Sequence, residues 1–410
     1  MSRVVKLEEL CLPDQIGKYG IPAVAEEFSE DKVRYLRITD IDDYGNLLEN
    51  DKKSVSSPEI EKYILKEGDI VFARTGNSTG RTYYHEEKNG ELAFAGFLIK
   101  FSLDESKVNP KYLKYFTISK PYKQWVDNLS NGSTRGNINA KTFADCPIIL
   151  PSREQQDYLV RVLSSLEDKI QINNQINQEL EAMAKTLYDY WFVQFDFPDQ
   201  NGKPYKSSGG KMVYHPELKR EIPEGWGVEK LGDITICHDS KRVPLSSNDR
   251  ELVKGEIPYY GATGIMDYVN NYIFDGDYVL MAEDGSVMTE KGTPILQRIS
   301  GKNWVNNHAH VLEPIKNHSC KLLMMLLKDV SVMKIKTGSI QMKINQENMN
   351  KIAVPAMPLE LLSEINQKLE VIDKQQLNLI EENKQLTQLR DWLLPMLMNG
   401  QVKVELISCR

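Results

Sequence analysis

Apolar residues recur at alternating spacings of four and three along a stretch that contains neither Pro nor Gly: Leu159, Leu163, Leu166, Ile170, Asn173, Asn177, Leu180, Ala184, Leu187 and Trp191. This heptad seam predicts one helix over 154–195, roughly 60 Å long at about 1.5 Å per residue. A second seam reads Ile365, Leu369, Ile372, Gln376, Leu379, Asn383, Leu386, Arg390 and Leu393. Pro395 lacks the N–H that would reach the carbonyl of Asp391, so it is expected to kink or end that helix. Each helix has an apolar stripe in need of a partner, and the other copy supplies one. The expected pairing is an antiparallel intramolecular coiled coil, with Asn177 and Asn383 fixing register at a cost in stability. The alternative is two surface helices packed on separate cores.

The seams belong to a larger repeat. Gly132-Ser133 recurs as Gly338-Ser339, Ile138-Asn139 as Ile344-Asn345, Leu163 as Leu369 and Leu187 as Leu393, with one offset throughout (338 − 132 = 206 and 393 − 187 = 206). Fixed-period similarity divides the chain into two alike halves. Ahead of each helix lies a block of short β-type runs with turn punctuation. The runs are 33–38, 69–73, 93–101 and 146–150 in the first block, and 278–282, 303–312 and 352–354 in the second. A short helix is expected in each, over 112–128 and 320–332. The fold class is α+β with a pseudo-two-fold repeat: block 1–150, helix 151–195, turn-rich connector 196–225 without a core pattern, block 226–356, helix 357–400 and tail 401–410.

At 410 residues the chain exceeds one ordinary core. No run approaches the roughly 18 apolar residues of a membrane span, and the first residues lack a secretory signal, so a cytoplasmic protein without membrane insertion is expected. The net charge of −7 sits mostly in the helices and connector, which leaves the two blocks near neutral. Neither block is the strongly basic domain that usually marks nucleic-acid binding. Cys11, Cys146, Cys237, Cys320 and Cys409 are scattered and never spaced as CxxC, which indicates neither a disulfide framework nor a zinc site.

The candidate chemistry lies in loops. The segment from Arg74 to Arg81, with Thr75, Asn77 and Ser78, lacks the ending of a P-loop and the glycine spacing of a dinucleotide site. It reads either as a plain hairpin loop or as arginines and small polar residues suited to phosphates or a guanine edge. Ser133, Thr134, Arg135 and Asn137 form a second candidate loop, and Lys336, Ser339, Gln341 and Lys343 its counterpart. Shared position with different tips is what two separate readers need. His308 and His310 stand two apart on an expected strand, hence on one face, where they can pack, contact nucleic acid or ligate a metal; no third ligand stands at recognisable spacing. Glu283-Asp284 is a weak candidate for carboxylate nuclease chemistry, and no nucleophile elbow or catalytic triad spacing appears. The aromatic run Tyr188, Tyr190, Trp191, Phe192 is expected to pack on the connector or on a partner.

Five segments together carry a family resemblance: Leu150-Pro151-Ser152-Arg153-Glu154-Gln155-Gln156, Leu187-Tyr188-Asp189-Tyr190-Trp191-Phe192, Gly202-Lys203-Pro204-Tyr205-Lys206-Ser207-Ser208-Gly209-Gly210, Glu221-Ile222-Pro223-Glu224-Gly225-Trp226 and Leu389-Arg390-Asp391-Trp392-Leu393-Leu394-Pro395. Over essentially its whole length the chain resembles the specificity subunits of type I restriction-modification systems. One departure is Met357-Pro358-Leu359-Glu360-Leu361-Leu362, where the Glu-Gln pair of the first helix start is absent. The resemblance implies a non-catalytic subunit that reads double-stranded DNA. Each block is then a target recognition domain for one half of a bipartite sequence, and the paired helices set the spacer. Two modification subunits carrying S-adenosylmethionine and restriction subunits using ATP and Mg are the implied partners, and no cofactor is implied on this chain.

Overall fold

The computed structural model describes residues 3–130, 137–338 and 342–398. The chain forms two compact units. The first takes the chain up to Ile172 and resumes at Glu382, and the second is Asn173–Glu381.

In the first unit the strand Asp69–Ala73 is the centre of the core. Its residues Ile70 and Phe72 pack into one apolar cluster, while Val71 and Ala73 pack into another. Alternating side chains point to opposite faces, so a strand buried on both faces needs the continuous apolar run found here. It lies in an antiparallel sheet of order Lys18–Tyr19, Leu98–Ser102, Asp69–Ala73, Thr82–Tyr84. A second sheet has the order Glu26–Glu27, Lys53–Ser54, Arg34–Leu36, Leu92–Phe94 and ends on a parallel pair. Arg3–Lys6 pairs with Pro147–Leu150 and joins the two ends of the block.

The second unit repeats this plan. Tyr278–Ala282 is central in the sheet Thr235–Cys237, Ala309–Pro314, Tyr278–Ala282, Leu296–Ile299. Its second sheet again contains one parallel pairing, Tyr259 with Trp304, and Gly227–Lys230 with Ala353–Ala356 closes the block.

Two expected strands are divided, and for one reason. The run 93–101 splits into Leu92–Phe94 and Leu98–Ser102 around Gly96, and the run 303–312 into Lys302–Val305 and Ala309–Pro314. In each case the chain passes from one sheet to the other, a crossing that hydrophobicity along the chain does not register. The expected helix 112–128 is likewise two helices, Pro110–Thr117 and Lys120–Ser130, and that over 320–332 ends at Leu327 before a 3-10 turn.

The repeated Ile-Asn pairs acquire a physical meaning. Asn139 caps the short helix Ala140–Ala144 by accepting from the Thr142 N–H at 2.9 Å, and Asn345 caps Gln346–Asn350 by accepting from Asn348 N–H at 2.8 Å. The isoleucines beside them, Ile138 and Ile344, are buried. Asn345→Ala is expected to destabilise the second unit by about 1 kcal/mol, read from urea unfolding. A change within error of zero would deny the cap its role.

Every seam residue of both long helices is buried or half-buried. The helices are Arg153–Tyr188, continued by a π-helical turn Asp189–Val193, and Leu359–Met398. Both alternatives raised by the seams are realised, along different stretches. Leu159, Val160 and Leu163 join the core of the first unit together with Leu394, and Ala184, Ile365, Leu369 and Ile372 join that of the second. The helices also meet each other and run antiparallel. In the first unit Lys169 pairs with Glu382 at 3.4 Å, and in the second Gln376 Nε2 donates to the Asn177 carbonyl at 3.2 Å.

Pro395 does not end the second helix, which continues to Met398. It falls in the last turn, where the missing hydrogen bond is offset by packing of Leu394, Leu397 and Met398 against the first unit's core. The connector also departs from expectation, because Phe197, Tyr205 and Ile222 pack in the core of the second unit. Tyr188 stacks on Phe192, Phe192 meets Trp226 edge-on, and Trp191 packs near Phe197. The first helix therefore ends in an aromatic plug. Phe195 turns the chain out of it at φ 61°, a left-handed conformation unusual for a bulky residue, held here by burial against Trp226.

Candidate nucleic-acid interface

Three separate segments converge where the first unit's central strand ends. Arg74 N–H donates to the Phe97 carbonyl at 3.0 Å, and Ile138 N–H donates to the Arg74 carbonyl at 2.9 Å. Thr75 forms a β-bridge with Asn137. The Arg74 guanidinium lies 5.1 Å from the centre of the Tyr19 ring and donates to Asn137 Oδ1 at 3.2 Å. The structure therefore brings together Arg74, Thr75 and Asn137, which the sequence placed in two loops.

Other residues of the 74–81 loop serve the fold. Ser78 is buried, and Arg81 is bonded to Asp43 at 2.7 Å and to the Ile41 carbonyl at 3.1 Å. Gly80 has φ 85°, and a Cβ there would stand 2.6 Å from a Val126 methyl carbon, so close packing requires the glycine. This is a structured hairpin connection with Asn77 exposed at its turn. Ser133, Thr134, Arg135, Ser339 and Gln341 lie outside the described residues.

The second unit builds the same corner from different side chains. Glu283 N–H donates to the His308 carbonyl at 2.8 Å, Ile344 N–H donates to the Glu283 carbonyl at 2.8 Å, and Asp284 bridges Lys343. With Ala73 opposite Leu98 and Ala282 opposite Ala309, the registers equate Arg74 with Glu283, Phe97 with His308, Ile99 with His310 and Asn137 with Lys343. Tyr19 lies opposite Ile99, and continuing the pairing of Cys237 with Leu312 by two residues puts Asp239 opposite His310. Lys336 lies farther along the same loop, paired with Ile344.

The electrostatics of the second corner are dense. Arg242 binds Glu283 at 2.6 Å and Asp239 at 3.3 Å, and Lys343 binds Glu283 at 2.9 Å. Burial works against the charge on Glu283, yet hydrogen bonds from Arg242 and Lys343 outweigh it and hold the carboxyl below its ordinary range. Asp239 follows the same pattern, with burial opposed and exceeded by His310, Cys237 and Arg242 together.

The two histidines do not share one face. The strand begins only at Ala309, so His308 stands at its mouth, 47% exposed and paired with Asp284. His310 points into the fold at 1% exposure and is bonded to Asp239 and to the Ile344 carbonyl. Cys237, Asp239 and His310 bring possible metal-ligand atoms within 4.8 Å of one another, from segments too far apart for spacing to have flagged them. Tyr19, Phe97, Asp239 and Arg242 were invisible to motif reading for the same reason. The offset of 206 pairs Asn137 with Lys343 but none of these, since Phe97 and His308 stand 211 apart, so only strand register equates their positions.

Among the described residues no helix is long and apolar enough to cross a membrane. The family model for the type I restriction modification DNA specificity domain matches residues 4–182 and again 223–388. The chain is similar to the type I restriction enzyme MjaIX specificity subunit of Methanocaldococcus jannaschii, with 26% identity covering 72% of this chain and 69% of that protein. It is similar also to the HindI specificity subunit of Haemophilus influenzae, with 22% identity over 84% of this chain and 89% of that one. In fold it resembles the S subunit of a type I restriction-modification system from M. genitalium, with a TM-score of 0.54 at 16% identity, covering 97% of this chain and 96% of that one. With one domain match in each half and an internal repeat whose central four-stranded sheet recurs in the same order, the chain belongs to the type I restriction-modification DNA specificity family.

Proposed function

We propose that this chain is the sequence-reading subunit of a type I restriction-modification complex. Each unit reads one half of a bipartite double-stranded DNA target, and the paired long helices set the spacer and dock two modification subunits. The observation that carries this reading is the repeated corner. One backbone arrangement presents Arg74, Phe97 and Asn137 in the first unit, and Glu283, His308 and Lys343 in the second. A shared scaffold with exchanged side chains suits two different half-sites, because phosphate contacts need position while base edges need particular donors and acceptors. The chain carries no catalytic constellation of its own in this reading. S-adenosylmethionine sits on the modification subunits, and ATP with Mg on restriction subunits.

The near-neutral blocks fit this division, since partner subunits then supply much of the phosphate neutralisation that drives affinity. The chain alone should bind DNA weakly. In the assembled methyltransferase, Arg74→Ala and Lys343→Ala are each expected to weaken DNA binding by about tenfold and to lower the salt slope by about one while assembly persists. Unchanged affinity for both at matched salt would remove these corners from the contact surface. Mapping methylated adenines genome-wide in cells carrying the complex tests the whole reading, which requires a two-part motif that changes in one part only when residues 226–356 are exchanged.

A further inference from the structure

The two long helices carry a carboxylate at the same repeat position, Glu167 on the first and Asp373 on the second, at the common offset of 206. Each stands where its helix leaves the block that precedes it. Glu167 comes one turn beyond Leu163, which is buried in the first unit's core, and Asp373 directly follows Ile372, which is buried in the second unit's core. Each carboxylate binds a cation of its own block. Glu167 takes Lys114 Nζ at 2.6 Å and the Tyr115 hydroxyl at 3.1 Å. Asp373 takes Nε and Nη2 of Arg298 at 3.1 and 3.0 Å. The four charged side chains are 13% to 20% exposed, so salt screens them less than it screens a surface pair.

The cations sit on different elements but lead to equivalent places. Lys114 lies on the helix Pro110–Thr117, whose Thr117 hydroxyl meets that of Thr82 at 2.7 Å, and Thr82 pairs with Phe72 of the central strand that ends beside Arg74. Arg298 lies on a sheet strand, opposite Val279 of the central strand that ends beside Glu283. A charged contact and the central strand thus link each helix to its recognition corner. Apolar packing at the helix exits has no direction, whereas a charged hydrogen bond has a preferred length and line. In the second unit Lys321 adds a further tie, bound to Glu181 on the first helix and to Gln376 on the second.

We infer that Glu167 and Asp373 are positioning residues that fix the angle between each recognition corner and its helix, and so hold the gap between half-sites to one number of base pairs. This rests on the proposed reading of a two-part target by paired helices of set length. Neighbouring gaps differ by about 3.4 Å of rise and by roughly a tenth of a turn, so a corner free to swing by that much accepts the wrong gap.

The test uses the assembled methyltransferase and duplexes that carry both half-sites with the native gap or with one base pair more or less. Glu167→Gln keeps the size and an acceptor but removes the charge. It is expected to lower discrimination against the wrong gaps by about tenfold while discrimination against altered bases persists in both halves. Asp373→Asn is expected to lower it less, because Lys321 remains. Exchanging the partners, Lys114→Glu with Glu167→Lys, is expected to restore the preference for the native gap. Unchanged gap discrimination in both single variants overturns the inference. Loss of base discrimination in the half read by the altered unit overturns it too, since the pair would then merely keep that unit folded. Where the single variants do not fold, the exchanged pair decides, and a folded complex without a gap preference counts against the inference. An unsubstituted complex that requires no fixed gap is instead a failure of the proposed two-part reading.

Discussion

Inserting one heptad into each long helix, after Ile172 and before Glu382, is expected to lengthen the gap between the two methylated half-sites by about two to three base pairs and to leave the bases of each half unchanged. Seven residues add about 10 Å of helix, and DNA rises about 3.4 Å per base pair, so part of the added length is read along the duplex. The insertion must be made in both helices. Because they run antiparallel, a matched pair of heptads retains the Lys169–Glu382 contact on one side of the insertion and the Gln376–Asn177 contact on the other. A whole heptad returns the apolar seam to the same face, whereas an insertion of two or five residues turns Leu180 or Leu369 away from it and should cost stability rather than change the spacer. The measurement is adenine methylation mapped over a genome with the altered subunit. A motif with its original gap would sink the ruler role of the helices, and a motif with new bases in either half would show that the insertion disturbed a recognition unit.

The second large effect concerns the aromatic plug. Trp191→Ala is expected to destabilise the second unit by about 3–5 kcal/mol, a large share of the roughly 5–15 kcal/mol available to an ordinary domain. Trp191 is 1% exposed and packs near Phe197, and the neighbouring Tyr188, Phe192, Phe195 and Trp226 complete a cluster in which the helix end, the connector and the second block are one core. The cavity left by an indole cannot be filled by collapse, since stacked rings on several segments would have to shift together. Hydrogen exchange resolves the outcome by unit, with protection falling across Asn173–Glu381 and retained up to Ile172. A loss under about 1 kcal/mol would mean that the plug is peripheral.

Much of the architecture was legible along the chain. A seam alternating four and three requires a helix with one apolar stripe whatever it packs on, and the constant offset of 206 requires two alike units. Asp69–Ala73 and Tyr278–Ala282 were found at their true bounds, because a strand buried on both faces reads as a near-continuous apolar run, broken here only at its start by Asp69, whose buried charge is paired with Lys100. The five family segments were recognisable because they are contiguous. Asn139 and Asn345 were noticed only as repeated letters, and their capping hydrogen bonds supplied the cause.

The tertiary structure alone decided what depends on residues far apart in sequence. Where a strand leaves one sheet for the other, at Gly96 and at Asn306-Asn307-His308, hydropathy continues while the backbone turns. Pro395 is helical because packing of the last turn outweighs one lost hydrogen bond. His308 and His310 parted company because the expected strand 303–312 is interrupted at residues 306–308, which leaves His308 outside Ala309–Pro314. The corner that joins Tyr19, Arg74, Phe97 and Asn137, and its counterpart around His310, exist only once four strands are in register. Local pattern specifies which elements form and which face they bury. Which side chains then meet at the ends of those elements is set by sheet register, a property of paired strands that no single segment carries.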